Sequence, residues 1–268
     1  MSSPSPTSPL HVEQRGTVLW LTLNRPEAFN ALTPAIMREL DACCTRAEQD
    51  RSIQAVVIAG AGAAFCAGAD LKAVMEESQS GEQGQVLRRF LLEAGKVFTR
   101  LEQLPVPTVA AIHGVTLAGG LELALCCDFI LASNQAKFGE GHAKYAQLPG
   151  GGGSVRLPRR IGAARTKYLM FTGSLLNAEQ AQQWGLVDQV ADGAALHNEV
   201  EALLARCADK SPIGIARMKA LVAQGFEQPL EMALRAEIDM CELHSHSHDR
   251  NEGLAAFAAK RQPVYAGQ

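Results

Sequence analysis

The stretch FGEGHAKYAQLPGGGG, residues 138 to 153, sets an acid, Glu140, two positions before a histidine, His142, and ends it in four glycines. If the segment is extended, residues 140 and 142 share a face, and the carboxylate can orient the imidazole or act beside it. Imidazole, with a reference pKa of about 6.5, suits proton transfer at neutral pH. A second acid, Glu122, lies in LELALCC, which is apolar on every side. An acid in a buried helix needs a partner or a function, whereas on a surface it would only complement the helix dipole.

Two glycine-containing loops add backbone donors. HGVTLAGGLELALCCD (113–128) opens directly into the helix carrying Glu122. Its amides at Gly119 and Gly120 therefore sit at a helix N-terminus, which favours negative charge. GAGAAFCAGADLK (60–72) lacks the third glycine of a dinucleotide fingerprint. Its small residues let backbone amides approach a ligand, and Asp70 is placed to cap the segment after it. Two such loops converging on one oxygen make an oxyanion hole, each donor being worth about 2.7–4 kcal/mol in measured cases. The usual user, a serine hydrolase with a G-x-S-x-G elbow, is excluded because that motif is missing from the sequence.

These groups need a scaffold, and the hydrophobic pattern supplies one. VLWLTL (18–23), IQAVVIAG (53–60), TVAAIHG (108–114) and DFILAS (128–133) read as buried strands. Thr33-Pro34 reads as the N-cap and first residue of a helix, a polar helical stretch is centred on 85–104, and helices account for most of the chain beyond 154. Asn177 caps a further helix that stops near Gly185. Strands alternating with helices predict an α/β unit with parallel pairing and a helical C-terminal region. The domain reading is a disordered tail over 1–11, a core over 12–205 and a helical region over 206–268.

The 268 residues are 47% hydrophobic and 20% charged, enough for one large core. A formal charge of −3 gives no global reason to bind nucleic acid or an anionic membrane. The seven cysteines form no C-x-x-C pair and read as reduced thiols in a cytoplasm. MSSPSPTSPLH has neither a basic start nor an apolar run, so neither a secretory signal nor a membrane segment is expected there. HSHSHD (244–249) reads as a solvated helix cap rather than a metal site.

Five segments together resemble the crotonase (enoyl-CoA hydratase/isomerase) superfamily: LNRPEAFNAL (23–32), AFCAGADLK (64–72), PTVAAIHGVTLAGGLELALCCD (107–128), LPGGGGSVRLPRRIG (148–162) and DRNEGLAAFAAKRQP (249–263). The resemblance implies a crotonase-like spiral of ββα repeats with C-terminal helices used for trimerisation, as a homotrimer or a hexamer built from two trimers. It implies an acyl-CoA thioester as substrate, with coenzyme A part of that substrate and no separate cofactor or metal. Ala69 and Gly119 match the family's two oxyanion amides, with Gly120 beside them. Ala67 and Leu71 match positions whose backbone faces the adenine, Ala28 and Phe29 line that end, and Asp70 and Lys72 adjoin it, Lys72 as a candidate for the CoA phosphates. Gly150 is a candidate amide donor to substrate or water. Phe257 and Lys260 resemble residues that complete a neighbouring subunit's CoA pocket, or belong to an ordinary solvated helix.

Hydratases of this family use two glutamates; Glu122 matches the first, and His142 occupies the position of the second, with Glu140 two residues earlier. His142 then serves as an acid/base, as a binding group beside a lone working Glu122, or as a satisfied pocket histidine. The leading expectation is an enoyl-CoA hydratase acting through an oxyanion-stabilised enolate. Its rivals are a Δ3,Δ2-enoyl-CoA isomerase, a CoA thioester hydrolase and a non-catalytic acyl-CoA-binding protein; the acidic charge balance argues against an RNA-binding relative.

Overall fold

The computed structural model describes residues 8–77 and 82–268. Among the described residues, ten strands form two sheets. β1 (Leu10–Arg15), β2 (Val18–Leu23), β3 (Ala55–Gly60), β5 (Thr108–Ile112), β7 (Phe129–Ser133) and β10 (Gln189–Ala191) make the larger, in the order β1-β2-β3-β5-β7-β10. β4 (Ala64–Cys66), β6 (Val115–Leu117), β8 (Lys137–Gly139) and β9 (Leu176–Asn177) make the smaller. β1 pairs antiparallel with β2, β9 antiparallel with β8, and every other pair is parallel.

Among the described residues the eleven α-helices are α1 (Pro34–Gln49), α2 (Leu71–Glu77), α3 (Gln83–Glu102), α4 (Gly119–Ala124), α5 (Gly153–Ile161), α6 (Ala163–Thr172), α7 (Ala178–Gln183), α8 (Leu196–Ala208), α9 (Pro212–Gly225), α10 (Leu230–Ser245) and α11 (His248–Ala259). The strand pairs β3–β4, β5–β6 and β7–β8 each step from the large sheet to the small one before the chain turns helical, which is the ββα repeat. Successive repeats stack because small residues let backbones meet: a Cβ on Gly114 would collide with the Ala63 carbonyl, and one on Gly120 with the Cys66 carbonyl.

The alternating pattern of β2 shows how the core divides. Leu19, Leu21 and Leu23 join the main core with Ile36, Met37 and Leu40 of α1, while Trp20 faces a second cluster made with Val200 and Leu204 of α8. Both faces of the parallel sheet are thus covered, as unbroken apolar strands require. Thr33 caps α1 by accepting from the Ile36 N–H, and Asn177 forms a capping box with Gln180.

Three sequence expectations change. Order begins before the end of the tail expected over 1–11, because Leu10 is buried and already pairs with Leu23; the part of that expectation over residues 1–7 lies outside the described residues. A two-strand antiparallel start buries one side of LHVEQR, a pattern too short to stand out beside its polar neighbours. The small sheet also escapes prediction, since strands of two or three residues carry no readable period. The boundary expected at 205/206 falls inside α8, whose Val200 and Leu204 belong to the core, so the chain leaves the sheet only at 209–211.

All seven cysteines are free, five of them buried, and burial pushes the Cys66 and Cys127 thiols up to about 12. At the His-rich segment, Ser247 caps α11 by accepting from the Arg250 N–H, His248 opens that helix, and His244 Nδ1 meets Arg217 at 2.9 Å.

Candidate active site

The first loop of the site runs from β4 to α2. It is laced to the preceding 3-10 turn, Pro26–Ala28, and the residues after it. The Ala67 N–H donates to the Phe29 carbonyl (3.0 Å), the Leu32 N–H to the Gly68 carbonyl (2.7 Å), and the Asp70 N–H to the Leu32 carbonyl (2.8 Å). Asn30, fully buried in the left-handed region at φ 57°, donates to the Ala61 and Ala64 carbonyls and accepts from the Arg25 N–H. These bonds fix the loop from both sides and leave the Ala69 N–H without an acceptor among the described residues.

The second loop leads from β6 into α4. Ala118, at φ 46°, turns the chain so that Gly119 opens the helix. A Cβ on Gly119 would sit 3.3 Å from the Ala69 nitrogen, and one on Gly68 would sit 3.6 Å from the Gly119 nitrogen. The two amides expected to act together therefore lie side by side, and the Gly119 N–H likewise has no protein acceptor among the described residues. Gly120 follows at the next position of the helix N-terminus. It is buried against the Cys66 carbonyl, and its glycine is required for packing.

Glu122, one turn into α4, is 4% exposed. Its Oε1 accepts two backbone N–H bonds, from Gly151 and Gly153, each at 2.8 Å. A buried carboxylate is thereby satisfied without any side-chain partner. Gly151 and Gly153 make these bonds, while Gly150, the candidate donor to substrate or water, makes neither, and a Cβ there would meet the Leu91 side chain. The signal lies in the run of four, since a Cβ on Gly151 would come within 2.6 Å of Glu122 Oε2 and one on Gly153 within 3.1 Å of Oε1.

Glu140 is 2% exposed, and its Oε1 lies 2.5 Å from His142 Nδ1 while Oε2 accepts the His142 N–H at 3.2 Å. A carboxylate only accepts, so the Nδ1 proton is assigned to the imidazole and Nε2 is left for other chemistry. The contact does not come from an extended stretch. β8 ends at Gly139, Gly141 turns the chain at φ 72°, and His142 opens the 3-10 turn His142–Tyr145. Burial pulls the His142 pKa down, but the Glu140 hydrogen bond and the charges of Glu140 and Glu122 outweigh it, and the net direction is up. Glu122 is near enough for its charge to add to that rise.

The other candidates divide. Ala67 is half-buried; Phe29 and Leu71 are exposed beside it, and Lys72 is open, with Glu76 at 3.7 Å. Ala28 ends the 3-10 turn next to Phe29. Asp70 caps α2, as its place in the sequence predicts, by accepting from the Ala73 N–H, and it also pairs with Arg25 at 2.9 Å. The Ala73 hydrogen bond and Arg25 outweigh burial and lower its pKa. Phe257 and Lys260 lie on and just after α11, which packs against α9 and α10, and Phe257 is 85% exposed.

A ββα spiral holding a buried acid beside two free amides defines the class, and comparison with known proteins agrees with it. The chain belongs to the enoyl-CoA hydratase/isomerase family, whose model matches residues 13–268. It is 34% identical over 259 residues to a crotonyl-CoA hydratase of Syntrophomonas wolfei, covering 94% of this chain and 95% of the relative. It is 35% identical over 260 residues to the 1,2-epoxyphenylacetyl-CoA isomerase of Escherichia coli, covering 96% and 97%. The crystal structure of an enoyl-CoA hydratase from Bacillus anthracis superposes with a TM-score of 0.90 at 35% identity, covering 97% of this chain and all of that one.

Proposed function

We propose that the protein is an enoyl-CoA hydratase in which a glutamate and a glutamate-supported histidine divide the two proton transfers. The thioester carbonyl accepts from the Ala69 and Gly119 N–H groups, which act as the oxyanion hole and stabilise the enolate oxygen. Glu122, held by two amides and free to accept on Oε2, takes a proton from water as the oxygen bonds to the β-carbon. His142, as imidazolium, gives its Nε2 proton to the α-carbon, and Glu140 keeps Nδ1 protonated and stabilises the charge. Water is consumed, and one proton enters the active-site pair as another leaves it. The observation carrying this reading is the Glu140–His142 pair beside a backbone-held Glu122.

In the same reading, the adenosine end of CoA lies along Ala28, Phe29, Ala67 and Leu71, and Lys72 meets the phosphates. Coenzyme A enters as part of the substrate, and no separate cofactor or metal is required. The exposed apolar side chains of Met218, Val222 and Phe226 on and just after α9, with Leu230 and Ile238 on α10, support a homotrimer or a hexamer of two trimers. Phe257 and Lys260 then complete a neighbour's CoA site. No described helix is long and apolar enough to cross a membrane, and a cytoplasmic location accompanies the proposal.

An isomerase is the second reading, because Glu140 is taken up by His142 while Glu122 has no side-chain partner among the described residues, the arrangement a single-base shuttle from α- to γ-carbon needs. The test is the loss of conjugated-thioester absorbance when crotonyl-CoA is added, with product analysis. Formation of 3-hydroxybutyryl-CoA that collapses in Glu122→Gln and His142→Ala is the expected outcome. No hydration, with conversion of a 3-enoyl-CoA to its 2-enoyl isomer, would select the second reading.

A further inference from the structure

Four consecutive glycines are a poor support for a catalytic acid. Glycine has the widest backbone freedom of any residue, and the run must hold two N–H groups on one carboxylate oxygen. Gly153 is fixed as the first residue of α5, but Gly151 precedes the helix. Its N–H donates to Glu122, and the only donor to its carbonyl among the described residues is Arg156 Nη1, at 3.1 Å.

Arg156 is itself anchored. Its Nε and Nη2 both donate to Glu102 Oε2, at 3.0 and 2.8 Å, and Nη2 also reaches Thr99 Oγ1 at 3.3 Å. The guanidinium side chain is 16% exposed and lies against Gly152, where a Cβ would collide with Nη1. The planar fork of an arginine can hold a carboxylate on one edge and a carbonyl on the other; a lysine presents a single centre. Burial opposes its charge, while Cys126, Glu102 and Glu122 favour it, with a net rise in pKa.

We propose that Arg156 is a positioning residue for catalysis: anchored on Glu102, it clamps the Gly151 carbonyl and so holds the Gly151 N–H on the Glu122 carboxylate. Glu122 is thereby oriented through a peptide rather than by a side chain that would compete for its oxygens. The inference rests on the proposed proton-transfer role of Glu122 for its kinetic consequence, and on geometry alone for the clamp. Glu102 and Arg156 also line a cavity of about 800 Å³ beneath α9, which leaves room for a small cation to reach the position of the guanidinium.

The experiment compares wild type, Arg156→Ala, Arg156→Lys and Glu102→Gln by crotonyl-CoA kinetics and by hydrogen–deuterium exchange of a peptide spanning 148–157. Arg156→Ala should lower kcat about ten- to a hundredfold, the scale of a misplaced catalytic group, while KM changes little. Added guanidinium chloride at tens of millimolar should restore part of kcat in Arg156→Ala and none in Glu122→Gln. Arg156→Lys should recover less than guanidinium does, and Glu102→Gln should show a smaller loss in the same direction. Exchange over 148–157 should accelerate in Arg156→Ala. Wild-type kcat in Arg156→Ala would overturn the proposal. So would a loss of kcat without rescue and with exchange over 148–157 unchanged. If wild type does not turn over crotonyl-CoA, the hydratase reading fails, and exchange then decides the clamp: acceleration in Arg156→Ala supports it, and unchanged exchange refutes it.

Discussion

Glu122 and Glu140 are both buried acids within one site, yet the fold satisfies them in opposite ways. Glu122 receives two backbone N–H groups, whose dipoles are fixed by α5 and the glycine run and do not titrate. Glu140 receives, besides the His142 backbone N–H, the His142 imidazole, whose charge depends on pH. A backbone-held carboxylate keeps the same partners across the working range, whereas a histidine-held one belongs to a switchable pair. The first suits a permanent acceptor of protons, and the second a group that must carry a proton and release it.

Removing the backbone-held acid should have the largest effect. Glu122→Gln keeps a carbonyl acceptor for Gly151 and Gly153 but loses the base, and kcat for crotonyl-CoA hydration should fall about 10²–10⁴-fold. Circular dichroism melting should stay close to wild type; a kcat within about threefold of wild type would erase the contrast between the two acids.

The switchable pair comes next. His142→Ala should lower hydration about a hundredfold, and Glu140→Gln about tenfold, because the imidazole survives there without its charged partner. The His142 pKa is raised in the folded protein, so the pair stabilises the fold fully below the unfolded value of about 6.5 and loses that contribution as pH rises through the folded value. The difference in melting temperature between wild type and Glu140→Gln should therefore be greatest near pH 6 and narrow toward pH 9. Hydration by wild type should decline over the same basic range as the imidazolium is lost, whereas equal activity at pH 6 and pH 9 would remove the acid role from His142.

A gentler probe strikes the backbone partner. Gly151→Ala puts a Cβ 2.6 Å from Glu122 Oε2 and 2.9 Å from the Phe98 ring, so the carboxylate or the loop must move. A fall in kcat of about tenfold, or about 1.4 kcal/mol in the barrier, is expected with binding of CoA itself unchanged in calorimetry. The smallest effect should come from the acid that lies outside the pair. Asp70 caps α2 and meets Arg25 at the edge of solvent, so Asp70→Ala should cost about 1 kcal/mol in urea unfolding and leave kcat near wild type. A large loss of kcat there would make Asp70 a working residue after all.

Much of this site was legible because its determinants are local. A helix that is apolar on every side makes its one acid conspicuous, and loops ending in small residues at strand-to-helix transitions mark where amides are exposed. Asp70 shows both sides of such reading: its position predicts the cap of α2 that it makes through the Ala73 N–H, whereas no local pattern signals Arg25, 45 residues away, as its other partner. The glycine run shows a limit of such reading, since any of its four members satisfies the motif and only the direction of the chain entering α5 selects 151 and 153 as the donors to Glu122. The short strands of the small sheet fall below any detectable period, although they carry the loops of the site.

By itself the sequence determined the family, the parallel α/β core and the acids and loops that could act, because apolar runs, turn residues and motif order are properties of the chain read in one dimension. Which oxygen meets which donor was decided only by the tertiary structure. Residues 122 and 151 are joined by one hydrogen bond, 140 and 142 by a turn at Gly141 that no alternation predicts, and Arg156 reaches back to both Gly151 and Glu102. The reason is range: a pattern fixes which face a residue presents, whereas a hydrogen bond requires two atoms to be set within tenths of an ångström by the packing of every element between them.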